Sequence, residues 1–339
     1  MRFSCLVAVL ALGATWCVRA DEPSPPITVV SPKPQGIIAT GINNQGSVIG
    51  FEWIEEEERP GVIAQVPFYA KAGEITYLPL LEGYTATFPA DVSDGGLVVG
   101  RVSKPMTPGV RTPLLNQAFV WDEDGGIRGL GALEGDFTSF ATGVSRDGRR
   151  ISGYSVGDAR VRACIWNLEG EQWVGTALPH QDRLASNVVA ISDDGKSVAA
   201  TDGVFGCLWT EDDAGSWTRE VISEPGALIP RAVNNSGMVV GLTFAGDGLQ
   251  HAVIWTREGG YLRLGEPEGY RRSEASDVNN QGVVVGMMDG PAGSEIGPDP
   301  FLYEKGMLRR IEEGGPMFSS ATTINDQGQV AGILESEDF

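Results

Sequence analysis

The sequence predicts an all-β chain that closes into a seven-bladed β-propeller, and three observations lead there. A five-residue turn pattern recurs seven times, each copy runs into a β-branched stretch ending in a small residue, and a second strand-like half-motif ending in an aromatic residue follows most copies. Self-similarity at such a period marks arrays and propellers.

The turn pattern is Ile or Val, then Asn or Ser, two mostly polar residues and Gly. It occupies 42–46, 92–96, 144–148, 191–195, 233–237, 278–282 and 324–328, with closing glycines 50, 52, 47, 42, 45 and 46 residues apart. Asn or Ser first and Gly last is the composition of a tight turn whose final residue takes positive φ. The runs Leu97-Val98-Val99-Gly100, Met238-Val239-Val240-Gly241 and Val283-Val284-Val285-Gly286 then complete hairpins. An oxygen-rich copy such as Ser192-Asp193-Asp194-Gly195 invites a calcium reading. Yet Asn, Ser, Asp, Gln and Arg alternate at these positions and Arg146 would repel a cation, so turn side chains capping their own backbone fit better. No cofactor is expected beyond weak calcium binding.

The second half-motif reads Gln117-Ala118-Phe119-Val120-Trp121, Arg162-Ala163-Cys164-Ile165-Trp166, Phe205-Gly206-Cys207-Leu208-Trp209, His251-Ala252-Val253-Ile254-Trp255 and Asp299-Pro300-Phe301-Leu302-Tyr303, with Val66-Pro67-Phe68-Tyr69 a degraded first copy. It suits a strand whose aromatic end fills space between blades. A Gly-containing turn and a fourth short strand, Ile127 to Leu130 or Tyr261 to Leu264, follow it. With its His251-Ala252-Val253 and Gln117-Ala118-Phe119 tripeptides, Asn-rich turns and Val-Val-Gly strands, the chain resembles the probable extracellular repeat proteins named for a His-Ala-Phe (HAF) tripeptide, from about Ile27 to Leu334. That family is uncharacterised, so the resemblance implies export and a repeat fold but no activity. Most copies here lack the histidine, and two carry Cys in place of Phe, which favours packing over ligand binding for the tripeptide.

Four short strands in units of roughly 40 to 50 residues describe propeller blades. The first expected strand, Ile27 to Val30, matches the fourth strand of a unit, while the chain stops after the second strand of the seventh, near Leu334. Pairing of the N- and C-terminal strands would close the fold and remove its open edges. One strand is then missing from that last blade.

Residues 1–20 have the layout of a secretory signal peptide, with an apolar run from Phe3 to Ala14 and Val18-Arg19-Ala20 ahead of Asp21. Lipid attachment at Cys17 is disfavoured by the bulky Trp16. The expectation is a secreted protein, periplasmic or extracellular, with 21–339 as a single propeller domain, no membrane span and a monomeric state. The chain carries a formal charge of -20, and loss of Arg2 and Arg19 with the leader takes it to about -22, a balance that excludes nucleic acid as a partner. Cys164 and Cys207 occupy equivalent positions in consecutive repeats and read as small buried hydrophobes rather than a disulfide.

If the first strand of each blade is innermost, the turns after strands one and three are short and share one face. The long connections share the other, and variable loops on a rigid scaffold are where function concentrates. The candidate binding residues there are Tyr84, Phe137, Tyr270 and Phe318, which could stack on a ligand or cap the core, together with His180 and the basic pair Arg271 and Arg272. Thr87, Ser139, Ser186, Ser273 and Ser319 recur five residues before the turn and read as local backbone partners rather than nucleophiles. Two histidines, His180 and His251, in different blades argue against zinc and against a Ser-His-Asp arrangement. The expected function is a non-catalytic binding or interaction module for a glycan, a peptide or a surface protein. The alternatives are a carbohydrate-active hydrolase or lyase using carboxylates among Glu82, Glu134, Asp182, Glu268 and Glu274, and a purely structural repeat.

Overall fold

The computed structural model describes residues 9–11, 36–55, 63–104, 116–158, 160–179, 186–224, 226–244, 246, 248–291, 297–311 and 318–335. Every regular element among them is a strand.

The turn pattern does what its composition requires. The closing glycines, Gly46, Gly96, Gly148, Gly195, Gly237, Gly282 and Gly328, all have φ between 69° and 85°, a region that costs other residues a Cβ clash. The polar residue at the second position caps its own turn. Asn43 Oδ1 accepts the N–H groups of Gln45 and Ser47 at 3.0 and 2.8 Å. Ser93 Oγ accepts from Leu97 N at 3.0 Å, and Ser145 Oγ from Arg150 N at 3.0 Å.

Two compact units result, one formed by Met1–Tyr77, Val240–Ile254 and Tyr261–Phe339, the other by Leu78–Val239 and Trp255–Gly260. In the first, a sheet runs in the order β1 (Val9–Ala11), β27 (Gln329–Glu335), β2 (Gly36–Ile42), β3 (Val48–Glu55), β4 (Ile63–Lys71), β5 (Glu74–Tyr77), with β26 (Phe318–Ile324) paired to β27. A four-stranded sheet runs β22 (Arg272–Val278), β23 (Val284–Asp289), β24 (Asp299–Glu304), β25 (Met307–Arg310). The second unit holds the sheets β6 (Ala86–Val92), β7 (Val98–Ser103), β8 (Asn116–Asp122), β9 (Gly126–Gly129), then β10 (Thr138–Val144), β11 (Arg150–Val156), β12 (Val161–Glu169), β13 (Gln172–Ala177), then β14 (Ser186–Ile191), β15 (Ser197–Asp202), β16 (Phe205–Glu211), β17 (Trp217–Val221). The remaining sheet is β18 (Ile229–Val233), β19 (Val239–Phe244), β20 (Gln250–Thr256), β21 (Gly260–Arg263).

Among the described residues these are six sheets, so the propeller shows six blades and not the seven expected. The seventh turn does form its hairpin, β26–β27, but no third or fourth strand follows it among the described residues. The free edge of β27 is covered instead by β2, from Gly36↔Glu335 to Ile38↔Ile333, and by β1, from Val9↔Ala331 to Ala11↔Gln329. The hairpin thereby merges into the first sheet, because an uncovered edge is a template for aggregation. N- and C-terminal strands pair through these contacts. The strand expected at 27–30 lies outside the described residues.

The glycine closing each Val-Val-Gly run has a physical reason. The first strands carry a bulge opposite it, between Ala39 and Gly41, Pro89 and Asp91, Ala141 and Gly143, and Ala275 and Asp277. A Cβ on Gly50, Gly100, Gly153 or Gly286 would lie 2.0, 2.1, 1.9 or 2.0 Å from the carbonyl oxygen of Ile38, Phe88, Phe140 or Glu274. The third tripeptide position packs the core: Phe119, Cys164, Cys207, Val253 and Phe301 are fully buried. Trp166 joins Val99, Leu133 and Ala141 in one cluster and Trp209 joins Leu178 and Val188 in another, each indole filling the gap between adjoining sheets. Cys164 and Cys207 are free and buried, and burial pushes the Cys207 thiol up to about 11.

Within each unit, successive turns are also bonded to one another. In the second, Asp94 N donates to Arg146 O at 3.0 Å, Arg146 N to Asp193 O at 2.9 Å, and Asp194 N to Asn235 Oδ1 at 2.9 Å. In the first, Asn280 N donates to Asp326 Oδ1 at 2.8 Å, Asp326 N to Asn44 Oδ1 at 2.9 Å, and Asn325 Nδ2 to Asn43 O at 2.7 Å.

Two substitutions check this account. Gly153→Ala should lower stability by about 1–3 kcal/mol or more through overpacking, measured by denaturant unfolding. Asn325→Ala, which removes bonds within its own turn and to Asn43, should cost about 1–3 kcal/mol. An unchanged midpoint in either variant would contradict the assigned role.

Candidate functional site

In the second unit, two cross-strand pairs bring aromatic and cationic groups together. Phe88 on β6 stands opposite Arg101 on β7, and Phe140 on β10 opposite Tyr154 on β11. Directly opposed residues on one face of an antiparallel pair lie close enough for their side chains to interact. The Arg101 guanidinium carbon lies 4.5 Å from the Phe88 ring centre and 5.7 Å from that of Phe140. Phe140 in turn stacks on Tyr154 with ring centres 4.5 Å apart and planes 18° from parallel. All four residues are half-buried, so their faces border solvent. Burial raises the Tyr154 phenol above its usual range, and the nearby Arg101 charge works against that shift. Arg101 Nε is buried without a hydrogen-bond partner among the described residues.

At the other end of β6, Asp91 ties the two sheets together. Its Oδ2 accepts from Val144 N at 2.8 Å and its Oδ1 from Val92 N at 2.7 Å. Burial pushes this carboxyl up to about 6, against the pull of Arg146 and of the two N–H bonds. Asp277 repeats the device in the first unit, accepting from Ile324 N at 2.8 Å and Thr323 Oγ1 at 3.0 Å.

The residues singled out by sequence are placed as follows. Tyr84 is half-buried, donates to Gln117 Oε1 at 2.7 Å and lies under Lys104, whose Nζ is 4.7 Å from the ring centre. Phe137 is 40% exposed. Tyr270 donates to Asp299 Oδ2 at 2.6 Å, and burial together with that carboxylate pushes its phenol up to about 12. Arg271 is exposed, while Arg272 pairs with Asp289 at 2.6 Å. Phe318 opens β26, its side chain lying outside the described residues, as do His180 and Asp182. Glu82, Glu134 and Glu268 are exposed and Glu274 is half-buried on β22. Thus Tyr270, Arg271 and Arg272 lead together into β22, whereas the aromatic and cationic array nearest to Tyr84 and Phe137 in sequence is built by residues the loop argument did not select.

Of the recurrent hydroxyls, Thr87 Oγ1 donates to Pro79 O at 2.9 Å, whereas Ser186 donates to Asp202 Oδ1 at 2.8 Å and Ser273 to Glu266 Oε1 at 2.7 Å. Ser139 Oγ accepts from Ala118 N and Ser273 Oγ from Ala252 N, both at 2.9 Å. His251 is buried with Nδ1 2.6 Å from Glu266 Oε1. A cleft of about 370 Å³ in the second unit lies on the short-turn side, bordered by Asp194, Lys196, Glu211, Asp212, Asn235 and Trp255. Its carboxylates are already engaged: Glu211 with Arg150, Asp194 with Lys196 N, and Asp212 with Ala214 N and Ser216 N. No group of three or more metal-ligating side chains forms among the described residues.

No family model matches the chain, and no curated protein matches it either. Solved structures do. The chain is similar to the β-propeller domain of the Trilobed protease from Pyrococcus furiosus, with a TM-score of 0.53, 11% identity, and 83% of this chain and 85% of that one covered. The fold is that of a β-propeller. It is also similar to prolyl oligopeptidase B from Galerina marginata bound to a 25mer macrocyclization substrate (TM-score 0.55, 9% identity, 84% and 44% covered) and to the Pyrococcus horikoshii acylaminoacyl peptidase (TM-score 0.51, 11% identity, 86% and 48% covered). The propeller thus spans about half the length of these two peptidases. These matches overturn the expectation of a non-catalytic binding or interaction module, because the fold is one that peptidases carry and separates this propeller from none of them. The carbohydrate-active and purely structural alternatives find no support among them.

A pH dependence follows from Asp91. Its folded carboxyl titrates at about 6, above the unfolded value of about 4. Its contribution to stability is therefore full below about pH 4 and lost as pH rises through about 6. The Tm of wild type relative to Asp91→Asn should fall between about pH 4 and pH 7. A difference constant with pH would contradict the assignment.

Proposed function

We propose that this chain is a peptidase-related propeller that handles peptides on the first two strands of two sheets of its second unit, β6 and β7 and β10 and β11. The observation that carries the reading is the half-exposed array of Phe88, Arg101, Phe140 and Tyr154. Flat aromatic faces beside a guanidinium suit a peptide, whose planar amides and apolar side chains stack while its carbonyl or carboxylate oxygens accept hydrogen bonds. Support comes also from the peptidase propellers to which the chain is similar, one of them solved with a 25mer substrate bound. Export through residues 1–20, which would take β1 away with the leader and leave β2 as the cover of β27, and action as a monomer outside the cytoplasm belong to the same reading.

Incubation of the purified protein with a mixed peptide pool, followed by mass spectrometry of retained and cleaved species, tests it. Peptides should be retained or trimmed, and Phe140→Ala should weaken the effect by about tenfold, the loss of one aromatic anchor. A pool recovered intact and unbound would refute the proposal.

A further inference from the structure

The array contains an arginine that lacks what its peers have. Six described arginines are half-buried: Arg101, Arg146, Arg150, Arg162, Arg219 and Arg272. Five of them pair with a carboxylate: Arg146 with Asp193 at 2.8 Å, Arg150 with Glu211, Arg162 with Asp136 at 2.7 Å, Arg219 with Asp202 at 2.5 Å and Arg272 with Asp289 at 2.6 Å. Arg101 has no carboxylate partner among the described residues, in a chain with 45 Asp and Glu against 25 Lys and Arg. Among the described residues, an acidic protein leaves this cation without a carboxylate.

The surroundings say what the cation is for. The guanidinium carbon lies 4.5 Å from the centre of the Phe88 ring and 5.7 Å from that of Phe140, both within cation–π reach. Ring contacts consume no hydrogen-bond donor, and a guanidinium N–H pair matches a carboxylate oxygen for oxygen. Nε is buried without a hydrogen-bond partner among the described residues, as is that of Arg219, so the Nη groups of Arg101 are the donors left for a ligand. Tyr154 stands beside it, stacked on Phe140, and its hydroxyl makes no hydrogen bond among the described residues. The stacked rings offer an apolar shelf adjoining the cation.

We infer that Arg101, beside the rings of Phe88 and Phe140, is the receptor for a carboxylate, and that the ligand is the free C-terminal carboxylate of a peptide whose last side chain is apolar or aromatic. The inference rests on the peptide-handling reading and adds the end of the chain that is recognised. A C-terminal carboxylate is favoured over an Asp or Glu side chain because it sits one carbon from the terminal side chain. A single residue can then fill both the fork and the shelf.

Fluorescence anisotropy with three labelled peptides separates the sources. One ends in Phe with a free carboxylate, the second is the same peptide amidated, and the third is amidated with an internal Glu. The free-carboxylate peptide should bind about tenfold or more tightly than the amide, with the Glu peptide resembling the amide. Arg101→Gln should bring the free acid and the amide to equal affinity, and Arg101→Lys, which keeps the charge but loses the fork, should restore only part of the gap. Equal binding of acid and amide by wild type, a comparison that needs no variant, would overturn the carboxylate receptor while leaving peptide handling intact. Binding of the Glu peptide as tight as the free acid would overturn the C-terminal assignment. Absence of binding by all three would overturn both readings together.

Discussion

The rest of this fold depends on the bonding of each polar turn to the next within its unit. A blade of four short strands cannot bury both of its faces by itself, so adjoining sheets must be held in a fixed relation while Trp166 or Trp209 fills the gap between them. Backbone and amide bonds such as Arg146 N to Asp193 O and Asp326 N to Asn44 Oδ1 set that relation. Asp91 and Asp277 reinforce it from the strand beside the turn. Burying Asp91 costs ionisation free energy, which the two N–H bonds partly offset. The Asn, Ser and Asp residues of the turns therefore do two things at once: they cap their own hairpin and they present donors or acceptors to the neighbouring one.

The same spacing that stitches sheets together also places the candidate site. The bulge that forces glycine at 100 and 153 brings the first strand carbonyl against the second strand. The next residue along, Arg101 or Tyr154, then lies directly across from Phe88 or Phe140. Scaffold and site share one register. A change at either glycine should disturb both.

Much of the fold was legible in the sequence because it rests on local chemistry. Positive φ at the closing glycines, side-chain capping in the turns and core burial of Phe119, Cys164 and Phe301 all follow from composition and pattern. The blade count was not, since seven turn motifs count hairpins rather than sheets, and among the described residues the last hairpin has no third or fourth strand of its own. The array was missed for a different reason. Loop length drew attention to the long connections, whereas Phe88, Arg101, Phe140 and Tyr154 stand within strands. A signal was present: Phe occurs four residues before the turn motif in two consecutive repeats, and Arg or Tyr directly follows the obligatory glycine in the same two. That Arg101 has no carboxylate partner among the described residues was not legible, because it depends on which side chains the fold brings beside it.

The most direct test of the account is a crystal structure of the protein with a short peptide ending in Phe and bearing a free carboxylate. The account predicts the terminal carboxylate on the Arg101 fork, the terminal ring on the Phe140–Tyr154 shelf, and six sheets with β27 joined to β2. A peptide bound elsewhere, with Arg101 paired to a carboxylate of the protein itself, would contradict it.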